Sequence, residues 1–253
     1  MTGLLTMVDR NIDALVEYSP SRGDDILSKL MVIGDHAANS VPDGVDLGID
    51  AAILDTHRAV DLGTRTLANI LHQRHGCAVA NARVSRLVVD LNRFRDEPST
   101  IPYESDGISI AGNILDDRQY EARLSQYYDG YHDRVGQLIE QEKPQFIIFL
   151  HSFTPMLKED GTERPWHYGV MYDDDERAAH IALNYFADLN ILAGNQLPYS
   201  GKIYNSSFGR HAGARKIAYL GLEVRQDLLA DKQGIDAVSH VIKSLAESVL
   251  RNL

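Results

Sequence analysis

Three short apolar runs each end on a chemically loaded side chain, and they limit what this chain can fold into. Leu30-Met31-Val32-Ile33 runs into Gly34-Asp35-His36, Phe146-Ile147-Ile148-Phe149-Leu150 into His151-Ser152, and Ala218-Tyr219-Leu220-Gly221-Leu222 into Glu223. Apolar runs of about four to eight residues read as strands buried on both faces. Helical patterns separate them, and strands alternating with helices imply a mainly parallel sheet covered on both sides, an α/β/α sandwich. Open sheets of this kind bind ligands at the carboxyl ends of their strands. Two imidazoles and a carboxylate arriving there predict a metal site with a general base.

The remaining elements follow from periodicity and stop signals. Residues 55–75 carry Val60, Leu62, Leu67, Ile70 and Leu71 on one side, with Gly76 as a stop. Residues 116–142 place Leu124, Tyr127, Tyr128, Tyr131, Val135, Leu138 and Ile139 together, and Pro144 ends that helix. Helices are also expected over 176–189 and 234–253. Further strands are expected over 78–82, 87–89 and 168–172. Residues 94–113, 158–165 and 195–215 read as loops. The first is long enough to be functional. No repeat, low-complexity tract or linker interrupts the 253 residues, so one domain over 1–253 is expected.

Composition removes several function classes. Net charge is −11, from 25 Lys and Arg against 36 Asp and Glu, which argues against a nucleic-acid surface. No apolar run approaches the ~18 residues of a membrane span. Residues 1–5 lack both a basic region and a long apolar core, so no signal peptide is expected. A single cysteine, Cys77, forms no internal disulfide and fits a reducing compartment. These features predict a cytoplasmic protein whose partner is a small molecule. No Gly-x-Gly-x-x-Gly or phosphate loop supports a nucleotide enzyme.

The chemistry is read residue by residue. Catalytic zinc is held by three protein ligands with a water in the fourth position. His36 and His151 are two candidates. Asn39 is a poor ligand, Asp61 is a candidate third, and Asp35 and His57 are rivals. Another divalent ion would also suit N and O donors. Glu223 ends an apolar strand, and burial there raises its pKa and improves it as a base; a salt bridge to Arg225 is the competing reading. In Ser85-Arg86-Leu87-Val88-Val89-Asp90-Leu91-Asn92-Arg93, Asn92 and Arg93 suit a substrate carboxylate. Arg93 paired with Asp90 or Asp96 is the alternative. Arg86 suits a developing oxyanion. Ser152, Arg225 and His211 are further substrate-contact candidates, although a His in a Gly-flanked loop such as His211 is more often simply exposed to solvent. The tyrosines at 127, 128 and 131 read as packing.

With these segments in place the chain resembles the N-formylglutamate amidohydrolase family. The carriers are Asp35-His36-Ala37-Ala38-Asn39-Ser40-Val41-Pro42, Asp55-Thr56-His57-Arg58-Ala59-Val60-Asp61, the 85–93 stretch, His151-Ser152, and Gly221-Leu222-Glu223-Val224-Arg225. The family is similar to the zinc carboxypeptidase and aspartoacylase group. That resemblance implies a mixed eight-stranded sheet between helices, of phosphorylase/hydrolase-like type. It implies His36 and His151 as zinc ligands, Glu223 as base, and Asn92 with Arg93 as carboxylate clamp. Asn39 stands where a ligand Glu is expected, and Asp61 is assigned the vacancy. The function implied is metal-dependent cleavage of an N-acyl, such as N-formyl, amino acid. A carboxypeptidase-like peptide hydrolase and a metal-free binding protein on the same scaffold are the competing expectations.

Overall fold

The computed structural model describes residues 12–157, 161–204 and 206–253. Residues 1–5 and residues 158–160 of the expected polar loop lie outside them. The strands are β1 (Val16–Ser19), β2 (Leu30–Gly34), β3 (Ala78–Ala82), β4 (Glu104–Ser105), β5 (Ile108–Ser109), β6 (Phe146–Phe153), β7 (Tyr168–Met171), β8 (Ala193–Asn195) and β9 (Ala218–Arg225). The helices are α1 (Thr64–His75), α2 (Asp117–Arg123), α3 (Gly130–Glu142), α4 (Arg177–Asp188), α5 (Gly201–Tyr204) and α6 (Lys232–Asn252). Seven strands form one mixed, mainly parallel sheet in the order β1-β3-β2-β6-β9-β7-β8, and β4 with β5 forms a separate ribbon. Among the described residues of the seven-stranded sheet, only β1 against β3 and β7 against β9 run antiparallel.

The three apolar runs are β2, β6 and β9, side by side in the middle of the sheet. Their side chains alternate between two cores, as a doubly covered sheet requires. Met31, Ile33, Ile147, Phe149 and Tyr219 pack toward α3 and the segment before it. Val32, Ile148, Leu150, Leu220 and Leu222 pack toward α1, α4 and α6. The result is the expected three-layer α/β/α arrangement, with seven strands in its sheet among the described residues instead of eight.

Several local expectations change. Residues 87–89 form no strand: Val88 and Val89 donate their N–H groups to the Ser85 carbonyl, so the apolar residues fill a buried turn. The helix expected from residue 55 begins at Thr64. Gly63 precedes it with φ +85°, and a Cβ there would lie 2.5 Å from the Leu229 Cβ, so a bulkier residue fits neither the conformation nor the space. The expected end at Gly76 holds, with φ +72° and its N–H on the His72 carbonyl. The 116–142 helix is continuous but carries a π-helical stretch at Leu124–Asp129 between α2 and α3. Residues 195–215 are not mainly loop; they hold α5 and a second π-helical stretch, Phe208–Ala212. The 94–113 loop contains the β4–β5 ribbon.

Candidate active site

His36 lies two residues past β2, His151 near the end of β6, and Glu223 opposite His151 in register on β9. All three are buried. The His36 and His151 rings are 5.1 Å apart, centroid to centroid. Asp61 joins them from the turn before α1. Its backbone N–H donates to the His36 carbonyl at 3.0 Å, while Thr64 Oγ1 donates to the Asp61 carbonyl at 2.7 Å. That anchoring points Asp61 Oδ2 at His151 Nδ1, 2.9 Å away, and at His36 Nδ1, 3.6 Å away. Among the described residues, His36, Asp61 and His151 are the group that could hold a metal ion, with ligand atoms within 4.8 Å of one another.

The surroundings fit a cation. His36 Nε2 is 2.7 Å from Asp90 Oδ1, which orients the ring so that Nδ1 faces Asp61. That Nδ1 is buried and has no hydrogen-bond partner. Arg86 spans both carboxylates, with NH2 2.9 Å from Asp90 Oδ2 and NH1 3.4 Å from Asp61 Oδ1. Burial pushes the Asp61 and Asp90 carboxyls up, but the cationic neighbours outweigh it and hold both well below the usual range: His36 and His151 at Asp61, Arg86 and His36 at Asp90. Burial and Arg86 push the His36 pKa down, yet Asp90 and Asp61 prevail and raise it to about 9.

Glu223 is the exception. Desolvation by burial raises its pKa to about 7, and Asp61 adds to the shift against the opposing charges of His151, His36 and Arg86. Its Oε2 is buried without a hydrogen-bond partner. No ion pair joins it to Arg225, whose guanidinium is 2.7 Å from Asp227 and donates to the carbonyls of Arg164, Pro165 and Trp166. Glu223 therefore sits beside the His-Asp-His group as an unpaired carboxyl titrating near neutrality.

The other sequence candidates sort by what they touch. Asn92 is buried, with Nδ2 3.5 Å from His151 Nε2 and Oδ1 without a partner. Arg93 is partly exposed, its Nε 3.8 Å from Asp90 Oδ2. Ser152 serves the cluster through its backbone, its N–H 3.3 Å from Asp61 Oδ2 while Oγ donates to the Leu62 carbonyl. Arg225 is committed to Asp227 and backbone carbonyls, which removes it as a free second anchor. His211 is neither exposed nor bonded to the cluster; it is buried and shares a 2.8 Å hydrogen bond with His132. The rivals for the third ligand lie elsewhere: Asp35 accepts from Tyr131 at 2.6 Å, His57 faces Asp106, and Asn39 donates to Asp55. Tyr128 and Tyr131 pack as expected and also donate hydrogen bonds, Tyr128 to the Arg93 carbonyl. Sequence reasoning missed Asp90 as the carboxylate behind His36. Its signal was the four-residue spacing from Arg86.

A doubly wound sheet with a buried His-Asp-His group and an unpaired carboxyl at its strand ends defines a protein of hydrolase type. A model of the N-formylglutamate amidohydrolase family matches residues 28–230, and the chain belongs to that family of hydrolases acting on an amide bond. No curated protein matches it. Among solved structures it is similar to a gene product of Agrobacterium tumefaciens, at 27% identity and TM-score 0.86, covering 94% of this chain and 95% of that one. It is also similar in fold to N-formylglutamate amidohydrolase from Ralstonia eutropha, at 15% identity and TM-score 0.63, covering 94% and 96%. Among the described residues no helix is long and apolar enough to cross a membrane.

Proposed function

We propose that the protein is a metal-dependent amidohydrolase that cleaves N-acyl amino acids, N-formylglutamate among them, with His36, Asp61 and His151 holding a zinc or similar divalent ion. The observation that carries this reading is Glu223: a buried carboxyl with an unpartnered oxygen, beside three side chains suited to a cation. An ion there supplies a Lewis acid and brings the pKa of water to ~7.

The chain's own residues do the rest. Glu223 accepts the proton of the attacking water, whose oxygen bonds to the acyl carbon. As the C–N bond breaks, Glu223 returns that proton to the departing amine nitrogen, leaving a carboxylic acid and a free amino acid. A carboxyl titrating near 7 can both take and give a proton at neutral pH. Arg86 uses two of its five N–H donors on Asp61 and Asp90, and the others remain for the carbonyl oxygen as it gains charge. Asn92 and Arg93 hold the substrate α-carboxylate. Asp90 fixes the His36 ring so that Nδ1 faces inward. A reducing compartment such as the cytoplasm suits a chain with one buried thiol.

The experiment is Glu223→Gln. The variant should bind zinc as the parent does and lose about 10²- to 10⁴-fold in kcat on N-formylglutamate. Turnover at the parent rate would remove Glu223 as the base.

A further inference from the structure

Residues 90–93 lie in a turn outside any helix or strand. Some of its groups serve the His-Asp-His cluster. Asp90 Oδ1 lies 2.7 Å from His36 Nε2 and accepts the Asn92 N–H at 3.0 Å, and Asn92 Nδ2 lies 3.5 Å from His151 Nε2. The carbonyls of Leu91, Asn92 and Arg93 are taken up elsewhere, by one platform. Ser207 Oγ donates to the Leu91 carbonyl at 3.5 Å, the Ser206 N–H to the Asn92 carbonyl at 3.3 Å, and the Tyr128 hydroxyl to the Arg93 carbonyl at 2.8 Å. The Tyr128 hydroxyl also lies 3.4 Å from Ser206 Oγ, which ties the platform together. Tyr128, Ser206 and Ser207 are all buried.

The two π-helical stretches build that platform. Tyr128 belongs to Leu124–Asp129, and Ser207 immediately precedes Phe208–Ala212. A π-helical turn holds more residues than an α-helical one and re-aims the side chains on it, and such turns gather at functional sites. His132 joins the two stretches. Its ring centroid lies 4.4 Å from that of Tyr128, and it shares the 2.8 Å hydrogen bond with His211. The Arg210 guanidinium lies 5.3 Å from the Tyr128 ring centroid. The ring is therefore held by packing that does not involve its hydroxyl. Buried carbonyls need partners wherever they occur. The Arg93 carbonyl differs in what it anchors: a long, partly exposed side chain that must be ordered before it can grip a ligand.

We propose that Tyr128, with Ser206 and Ser207 beside it, is the positioning residue that fixes the Asn92–Arg93 backbone in place before the substrate carboxylate arrives. This rests on the amidohydrolase reading above, in which Asn92 and Arg93 hold the substrate α-carboxylate. Tyr128 touches no reacting atom. Its hydroxyl reduces the ordering that binding must otherwise impose on the clamp. That contribution is the same in the ground state and the transition state, so it falls on KM and leaves kcat alone. It acts only on substrates that carry the α-carboxylate.

The test compares N-formyl-L-glutamate with its α-amide on the zinc-loaded parent, on Tyr128→Phe, and on Arg93→Gln with and without Tyr128→Phe. The phenylalanine keeps the packed ring and removes only the hydroxyl. Tyr128→Phe should raise KM for N-formyl-L-glutamate about 3- to 10-fold, the effect of one hydrogen bond, with kcat within about 2-fold of the parent. KM for the α-amide should match the parent's, and Tyr128→Phe should add nothing to Arg93→Gln. An unchanged KM, a fall in kcat alone, equal loss on both substrates, or full additivity with Arg93→Gln would overturn the assignment and leave the amidohydrolase reading standing. Should Tyr128→Phe fail to fold, Ser207→Ala, which removes the donor to the Leu91 carbonyl, decides by the same comparison. If the parent hydrolyses neither compound, the amidohydrolase reading fails, and glutarate binding by calorimetry decides for the platform. Binding weakened about 3-fold or more in Tyr128→Phe supports it, and equal affinities, or no binding to the parent, refute it.

Discussion

Mild acid should loosen this protein through a histidine pair outside the His36-Asp61-His151 group. His132 on α3 and His211 in the Phe208–Ala212 π-helical stretch are both buried, with His132 Nδ1 2.8 Å from His211 Nε2. One ring donates and the other accepts, so the hydrogen bond needs at least one neutral imidazole. Burial lowers the His211 pKa to about 3, and the charges of Arg210 and Arg215 add to it. Burial, His211 and Arg210 lower that of His132 well below its ordinary value. Tyr128 and Tyr131 pack on the His132 ring, and Tyr131 donates to Asp35. A folded-state pKa below that of the unfolded chain, about 6.5, means that the unfolded state binds the proton first. Stability is then complete above pH ~6.5 and declines as pH falls toward ~3. At pH ~5.5 the unfolded chain gains about 1 to 2 kcal/mol from protonating His211 alone, and His132 acts in the same direction. Urea unfolding at about pH 7.5 and about pH 5.5, on the parent and on His211→Gln, isolates that contribution, because all other groups are common to both. The parent should lose more stability than the variant over this interval by about 1 to 2 kcal/mol. Equal losses would show that the pair is not held neutral by the fold.

Three further outcomes concern the site. Glu223→Gln separates zinc retention from turnover, as set out above. Asp90→Asn should weaken zinc binding by about 10- to 100-fold in a chelator competition, because His36 loses the carboxylate that orients its ring; unchanged affinity would contradict the pairing of His36 with Asp90. Gly169→Ala should cost about 1 to 3 kcal/mol in urea unfolding and lower activity, since its Cβ would meet the Leu197 carbonyl and, at 3.1 Å, the Glu223 Cβ. Parent-like stability and rate in that variant would mean the close approach is not needed.

How far the sequence revealed this site depends on the kind of contact involved. His36, His151 and Glu223 were legible because each ends an apolar run that only a central strand can satisfy. Asp61 was legible by residue type, but not its setting: Val60 and Leu62 mimic helical spacing, whereas Gly63 breaks the chain before α1 and frees Asp61 to turn inward. Asp90 was hidden because Leu87, Val88 and Val89 look like a strand, and only tertiary structure shows that they fill a turn delivering that carboxylate to His36. The His132–His211 pair escaped because π-helical stretches lie before α3 and around His211, and they shift side chains away from the 3.6-residue spacing that sequence patterns assume.

Asp61 touches three separated parts of the chain at once: the His36 carbonyl, the Arg86 guanidinium, and the His151 ring with the neighbouring Ser152 amide. Such a junction cannot be assembled in stages. Segments that fold apart hold no partial version of it, and fraying at any one of the three slackens the grip on the rest. Catalytic competence should therefore vanish in a single cooperative step with the unfolding of the central strands, making loss of turnover a direct gauge of the integrity of the whole sheet.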